Sequence, residues 1–129
     1  MNRIKKIFPW ILFLFGFAVF YFRVFPGDFH YDDYHSIREN SWLVSMLNIP
    51  RFFYDPGCFS SSPQAKMYRP MLLLSYALDY QIYDWKSFGW HLTNLFLHIL
   101  NSLLVWAVLF LTFGKKRLAW LGAIIFAFH

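Results

Sequence analysis

The feature that most constrains this chain is an apolar stretch from about Leu92 to Phe113 that contains no Asp, Glu, Lys or Arg. A helix of this length crosses a bilayer core about 30 Å thick and satisfies its own backbone hydrogen bonds there. A second apolar run covers residues 8–25, near the lower limit for crossing, and a third over 118–129 is too short to cross. We therefore predict an all-α integral membrane fold with two complete transmembrane helices and a truncated third.

The composition agrees with a membrane protein, since 58% of the residues are hydrophobic and only 15% are charged. Soluble domains carry about a quarter of charged residues. A cleaved signal peptide is the alternative for residues 8–25, but the following RVFPGDF lacks a small-x-small cleavage site, which favours a retained span whose Arg23 snorkels toward the head groups. The third run stops without a polar flank, so we expect the natural protein to complete this span beyond His129.

The distribution of charge predicts the orientation of the spans. All seven acidic residues lie between positions 28 and 84. Basic residues form two groups beside the predicted spans: Arg3, Lys5 and Lys6, and then Lys115, Lys116 and Arg117. Because short cytoplasmic loops are rich in Lys and Arg, we predict that residues 1–7 and 114–117 are cytoplasmic. Residues 26–88 then form a large periplasmic or luminal loop, and 89–113 is the returning span of a multi-pass integral membrane protein.

The external loop is rich in aromatic and aliphatic residues, so we expect it to be folded. Two interfacial helices are predicted, one near 34–47 and one near 70–83. The first has a capping-box pattern in the SIRE motif that begins at Ser36, and the second has Pro70 where a first helical turn favours proline. The Pro, Gly and Ser content of 54–66 predicts a mobile loop between them.

The densest acidic cluster is the sequence DFHYDDYH at positions 28–35, next to the first apolar run. One carboxylate of the adjacent pair Asp32 and Asp33 is suited to act as a general base, with a pKa adjusted by its neighbour. The alternative is that these residues cap the helix that follows them.

A divalent-cation site is a further alternative for the same cluster, because hard cations take carboxylate oxygens. Its ligands would come from Asp28, Asp32, Asp33 and either His30 or His35. The spacing matches no known metal loop, so we expect no metal or other cofactor. Nucleic-acid binding is also not expected, because the basic groups flank spans and do not form one face. Cys58 is the only cysteine, which excludes an internal disulfide.

The second span carries a polar stripe on one helical face, formed by His91, Asn94, His98, Asn101 and Ser102. Polar residues within a span face a bundle interior or a cavity. They serve either interhelical hydrogen bonding or a substrate cavity. Arg69 begins the second interfacial helix, where a guanidinium either anchors the helix to head groups or binds a phosphate.

Four segments in order carry a family resemblance: YDDYHSIREN, YRPMLLLSYALDYQIY, GWHLTNLFLHILNSLLVW and IIFAFH. Together they resemble the opening of a GT-C membrane glycosyltransferase, and within that superfamily the tetratricopeptide-repeat transmembrane O-mannosyltransferases. The resemblance covers nearly the whole chain. It implies an inverting enzyme that transfers a sugar from a polyprenyl-phosphate donor, held in membrane lipid, to a hydroxyl-bearing acceptor.

The resemblance also implies roles for particular residues. The acidic pair Asp32 and Asp33 becomes the catalytic motif, and His91 and Asn94 line or brace the substrate cavity. Arg69 is the candidate for neutralising phosphate charge, which rests on its chemistry and location. Family members have many more spans and a repeat domain, so this chain is expected to be an N-terminal fragment that is inactive alone. The alternative is a small non-catalytic integral membrane protein or complex subunit.

Overall fold

The computed structural model describes residues 2–129, with side chains for residue 8 and for residues 10–129. The side chains of 1–7, on which the predicted cytoplasmic N-terminus depends, lie outside the described residues. The chain is helical and the described residues contain no strand. Five α-helices follow in order: α1 (Asn2–Tyr21), α2 (Ile49–Phe52), α3 (Pro70–Tyr83), α4 (Ser87–Phe113) and α5 (Lys116–Phe128).

One of these helices, α4, is long and apolar enough to cross a membrane, among the residues the structure describes. The apolar part of the first helical segment covers Trp10–Val24 and is shorter. α5 has 13 residues. Of the two complete spans that the sequence predicts, the described residues show α4.

Two compact units make up the chain. The loop unit comprises Pro26–Trp90, and the helix unit comprises the chain up to Phe25 together with His91–His129. In the helix unit α5 turns one face of small residues inward, and these residues are 0–1% exposed: Ala119, Ala123 and Ala127. Their spacing of four places them on one helical face, where the missing side-chain bulk lets another helix approach closely.

The loop unit has its own apolar core, made of Phe29, Ile37, Leu43, Phe52, Cys58, Phe59, Leu73, Ala77 and Trp90. α3 begins at Pro70, whose fixed φ suits the first helical turn and whose missing N–H is not needed there. Leu73 and Ala77, four residues apart, are its buried apolar positions. This core shows that the long loop is a folded unit with its own buried interior.

The helix predicted over 34–47 is wrong, because the segment is divided into short turns. One π-helical turn covers Tyr34–Arg38, and 3₁₀ turns cover Ser41–Leu43 and Met46–Asn48. Asn40 and Ser45 cause the breaks, since both have extended backbone and their side chains accept from the amides two residues later, Trp42 N and Leu47 N. Asn and Ser side chains offer the backbone this alternative to a continuous helix.

α4 ends as its sequence predicts. Gly114 has φ +66°, a left-handed conformation that glycine adopts without a Cβ penalty, and its amide donates to Phe110 O at 2.8 Å. The basic residues that follow then begin α5 without a side-chain cap.

Candidate functional site

The acidic pair of the loop unit lies in a tight turn. The Asp33 amide donates to His30 O at 3.0 Å, and Asp33 Oδ2 accepts from His30 N at 3.3 Å. Between them Tyr31 has φ +46°, a conformation that costs a non-glycine residue on the order of 1 kcal/mol, and its side chain is 93% exposed. Asp33 thus closes the turn behind it.

The expectation that Asp33 caps the following helix is therefore wrong. No side-chain hydrogen bond caps the turn over Tyr34–Arg38, although Asp33 stands at its N-cap position. The capping box is wrong as well, since Ser36 Oγ donates backward to Asp32 O. Neither carboxylate is used to satisfy the amides of this turn, and Asp33 instead accepts from the His30 amide that precedes it.

Asp32 presents its carboxylate to solvent. The side chain is 97% exposed, and Oδ1 lies 3.6 Å from Nε2 of His35, which is 30% exposed. Nδ1 of the same imidazole lies 2.9 Å from Ser60 Oγ. His35 therefore stands between an exposed carboxylate and a buried hydroxyl.

The segment around Ser60 is docked against the acidic turn, although its composition predicts a mobile loop. The Ser61 amide donates to His35 O at 2.8 Å. Asn40, which is fully buried, donates from Nδ2 to Cys58 O at 3.0 Å and to Phe59 O at 3.1 Å. Buried carbonyls need such partners, so this docking holds the two segments together.

Arg69 approaches the same region from the start of α3. Its guanidinium lies over the Phe59 ring, 5.7 Å from the centroid. Burial raises the pKa of the Tyr76 phenol, the Asp33 carboxylate raises it further, and Arg69 opposes the shift. The charges of Asp33, Arg69 and Asp79 thus all influence the pKa of this one phenol in the loop unit.

His91 and Asn94 belong to the helix unit, where both line a cavity of about 360 Å³. The rest of its wall consists of Tyr21, Val24, Phe25, Leu95 and His98. A mostly apolar wall with a few polar groups is typical of a pocket for an amphiphilic ligand.

His98 joins helices within this unit. Tyr21 Oη donates to Ala127 O at 2.8 Å, and His98 Nε2 lies 3.1 Å from Tyr21 Oη and 3.2 Å from Ala127 O. Ser102 Oγ donates within α4 to His98 O, and Asn101 lines a different depression. The residues of the polar stripe therefore have different roles. His91 and Asn94 line the cavity, and His98 both lines the cavity and bonds to the neighbouring helices.

The metal alternative is not supported by the geometry. Among the described residues no group of three or more His, Cys, Asp or Glu side chains comes together as a metal site would require. The Asp28, Asp32, Asp33 and histidine set proposed from the sequence is thus not assembled into one coordination sphere.

The structure adds residues that the sequence patterns did not single out. Tyr76 lies in α3, and the charges of Asp33 and Arg69 both influence its pKa. No local signal exists for Ser60, which is 25 residues from His35. The pairing of these two depends on how the chain folds back.

Comparison with known proteins relates the chain to a named group. It is similar to a protein O-mannosyl-transferase of Caenorhabditis elegans, with 27% identity over 120 residues, 84% of this chain and 17% of the relative. Human protein O-mannosyl-transferase TMTC2 is 27% identical over 84% of this chain and 13% of its own length. Mouse protein O-mannosyl-transferase TMTC3 is 29% identical over 87% of this chain and 12% of its own length.

The chain thus spans about 12–17% of the length of these relatives. No protein-family profile matches it, and no solved structure matches it. The similarity supports a relationship to O-mannosyl-transferases over most of the chain.

Proposed function

We propose that this chain forms the amino-terminal part of a multi-pass GT-C-type membrane glycosyltransferase that moves a sugar from a polyprenyl-phosphate donor to an acceptor hydroxyl. One observation carries the proposal. Similarity to an O-mannosyl-transferase covers 84% of the 129 residues, which leaves 16%, about 21 residues, outside the match. Wherever the match begins, it therefore includes the acidic turn, Arg69 and the His91–Asn94 segment.

The proposed reaction is a displacement at the anomeric carbon. The acceptor oxygen forms a bond to that carbon while the bond from carbon to phosphate oxygen breaks, and the electron pair leaves with the polyprenyl phosphate. The acceptor proton passes to a carboxylate. Direct displacement inverts the anomeric configuration. The relatives' names suggest that the sugar is mannose.

Asp32 is the better candidate for the base. The side chain of Asp32 is 97% exposed, so its carboxylate is open to the acceptor substrate, whereas the Asp33 carboxylate accepts a hydrogen bond from the His30 backbone amide. A base must come within hydrogen-bond reach of the proton that it removes, so exposure favours Asp32. Asp33 then holds the turn and supplies negative charge beside it.

Arg69 is proposed to stabilise the charge that develops on the leaving phosphate, since a fixed guanidinium binds phosphate oxygens well. Its guanidinium lies over the Phe59 ring, and the side chain is exposed to a ligand from solvent. The cavity at His91 and Asn94 is proposed to hold part of the donor lipid, with the two polar side chains as its hydrogen-bonding groups.

The experiment measures sugar transfer by the full-length protein in membranes, with polyprenyl-phosphate mannose as donor. We expect Asp32→Asn to lower the rate by about 10²–10⁴-fold, because the amide cannot accept the proton. Asp33→Asn should cost less, since an amide oxygen still accepts from His30 N. Arg69→Gln should lower the rate about 10²-fold.

Asp28→Asn is the matched control. Asp28 lies in the same segment, is exposed, and accepts a hydrogen bond from the adjacent Phe29 amide at 2.8 Å, so transfer should stay near wild type. Undiminished transfer by both the Asp32 and Asp33 variants, with normal membrane insertion, would exclude the catalytic assignment. A wild-type protein that inserts normally and transfers no sugar would favour the non-catalytic membrane protein instead.

A further inference from the structure

We propose that His35 is a positioning residue whose Nε2–H orients the Asp32 carboxylate, and that buried Ser60 selects the imidazole tautomer that makes this possible. The inference rests on the proposed function, in which Asp32 is the base. It adds two side chains to the site that are separated by 25 residues and brought together at 2.9 Å.

The tautomer follows from the hydrogen bonds around Ser60. The Ser62 amide donates to Ser60 Oγ at 2.9 Å, so the oxygen already serves as an acceptor. Ser60 is only 5% exposed, and a buried hydroxyl hydrogen needs an acceptor. His35 Nδ1 lies 2.9 Å away. If Nδ1 accepts this hydrogen, the proton of a neutral imidazole resides on Nε2.

Nε2 is the atom that faces the carboxylate, 3.6 Å from Asp32 Oδ1. This separation is longer than a hydrogen bond, so the N–H acts on the exposed carboxylate by electrostatic attraction and favours the orientation that faces the imidazole. A base that must accept a proton benefits from such a contact, because it is oriented while most of its surface stays open to the acceptor.

The exposure of the three groups distinguishes this arrangement from a serine nucleophile with its histidine and carboxylate. In that arrangement the serine meets the substrate and the carboxylate is buried behind the histidine. Here Ser60 is buried and Asp32 is 97% exposed. The reactive end is therefore the carboxylate, and the serine is the anchor.

The backbone holds the anchor in place. The Ser61 amide donates to His35 O, and Asn40 binds the carbonyls of Cys58 and Phe59, immediately before Ser60. Ser60 thus reaches His35 because the chain on both sides of it is fixed to the segment that carries His35.

Two substitutions at His35 separate positioning from simple anchoring. An Asn side chain places its amide near the Nδ1 position, and a Gln side chain reaches the Nε2 position. Positioning through Nε2 predicts that His35→Gln loses about twofold to threefold in sugar transfer and His35→Asn about tenfold. Anchoring to Ser60 alone predicts the reverse order.

The transfer assay uses the full-length protein with polyprenyl-phosphate mannose, and each His35 variant is also made in the Asp32→Asn background. The difference between the Gln and Asn variants should vanish there, because the group on which they act is gone. A difference that persists, equal losses, or a larger loss in His35→Gln would overturn the inference.

A second measurement does not depend on activity. The ¹⁵N spectrum of the ring in the wild-type protein should show a protonated Nε2, and Ser60→Ala should increase the share of the Nδ1–H form. A ring protonated on Nδ1 in the wild type would overturn the inference. If Asp32→Asn lowers sugar transfer but the two His35 variants are indistinguishable, only the positioning role is rejected. If Asp32→Asn leaves sugar transfer unchanged, the catalytic assignment and the positioning role are both rejected.

Discussion

Asn40→Ala should release the segment that contains Ser60 from the acidic turn. Asn40 is 0% exposed, and its Nδ2 reaches the carbonyls of Ser36, Cys58 and Phe59 at 3.0–3.1 Å. Its Oδ1 accepts from Trp42 N at 3.1 Å. The alanine side chain makes none of these bonds and leaves buried carbonyls without a donor.

The magnitude follows from the number of bonds. The bonds to Cys58 O and Phe59 O cross the contact and are broken when the segment opens, whereas those with Ser36 O and Trp42 N are local. At about 1 kcal/mol net for each of the two, the free energy of opening this segment should fall by about 2 kcal/mol. Since about 1.4 kcal/mol is tenfold in an equilibrium constant, the open state should be populated roughly 30-fold more.

Hydrogen exchange of the Ser61 amide measures this opening, because that amide donates to His35 O across the contact. We expect its exchange to accelerate roughly 30-fold in Asn40→Ala. Asn48→Ala is the matched control. Asn48 makes one bond, from Nδ2 to Trp42 O at 2.9 Å, so it should change the Ser61 amide little. Equal exchange in wild type and Asn40→Ala would refute the reasoning.

Two further predictions concern the loop unit. Gly89→Ala should lower the free energy of unfolding by about 1–3 kcal/mol, because the new Cβ would lie 2.0 Å from Tyr83 Cγ. Denaturant unfolding measures this change, and an unchanged unfolding midpoint would contradict this packing. The hydrogen bond from the Gly57 amide, and then the one from Arg51, lower the pKa of Asp55 below its ordinary 3.8. Ionised Asp55 therefore stabilises the fold above pH 3.8, and this stabilisation is lost as the pH falls through the lowered pKa. The difference in unfolding midpoint between wild type and Asp55→Asn should therefore shrink between about pH 5 and pH 2, and a constant difference would exclude this linkage.

Local sequence signals predicted the parts of the fold that depend on neighbouring residues. α3 starts at Pro70 and α4 stops before Gly114 because a fixed φ and a left-handed φ are properties of those single residues. The helix predicted over 34–47 failed for a local reason too. The predicted helix includes Asn40 and Ser45, but their side chains accept hydrogen bonds from the amides two residues ahead and start new turns.

The sequence predicted which residues the candidate site contains, but not how the fold arranges them. Adjacent carboxylates and an Arg-Pro helix start identified Asp32, Asp33 and Arg69 as residues of interest. Which carboxylate is open to solvent could not be inferred, because the backward bond from His30 N to Asp33 depends on the left-handed turn at Tyr31. Pattern alone also favoured a helix cap that this turn does not use.

The sequence by itself determined that the chain is helical, that one long apolar helix can cross a membrane, and that acidic residues gather in the segment beside the first apolar run. These follow from composition and from spacings of a few residues. Only the tertiary structure decided that 58–61 docks on 35–40 and that Ser60 meets His35. Contacts between residues 18–25 apart have no local signature, because they form only when burial of a shared core offsets the entropy of bringing those segments together.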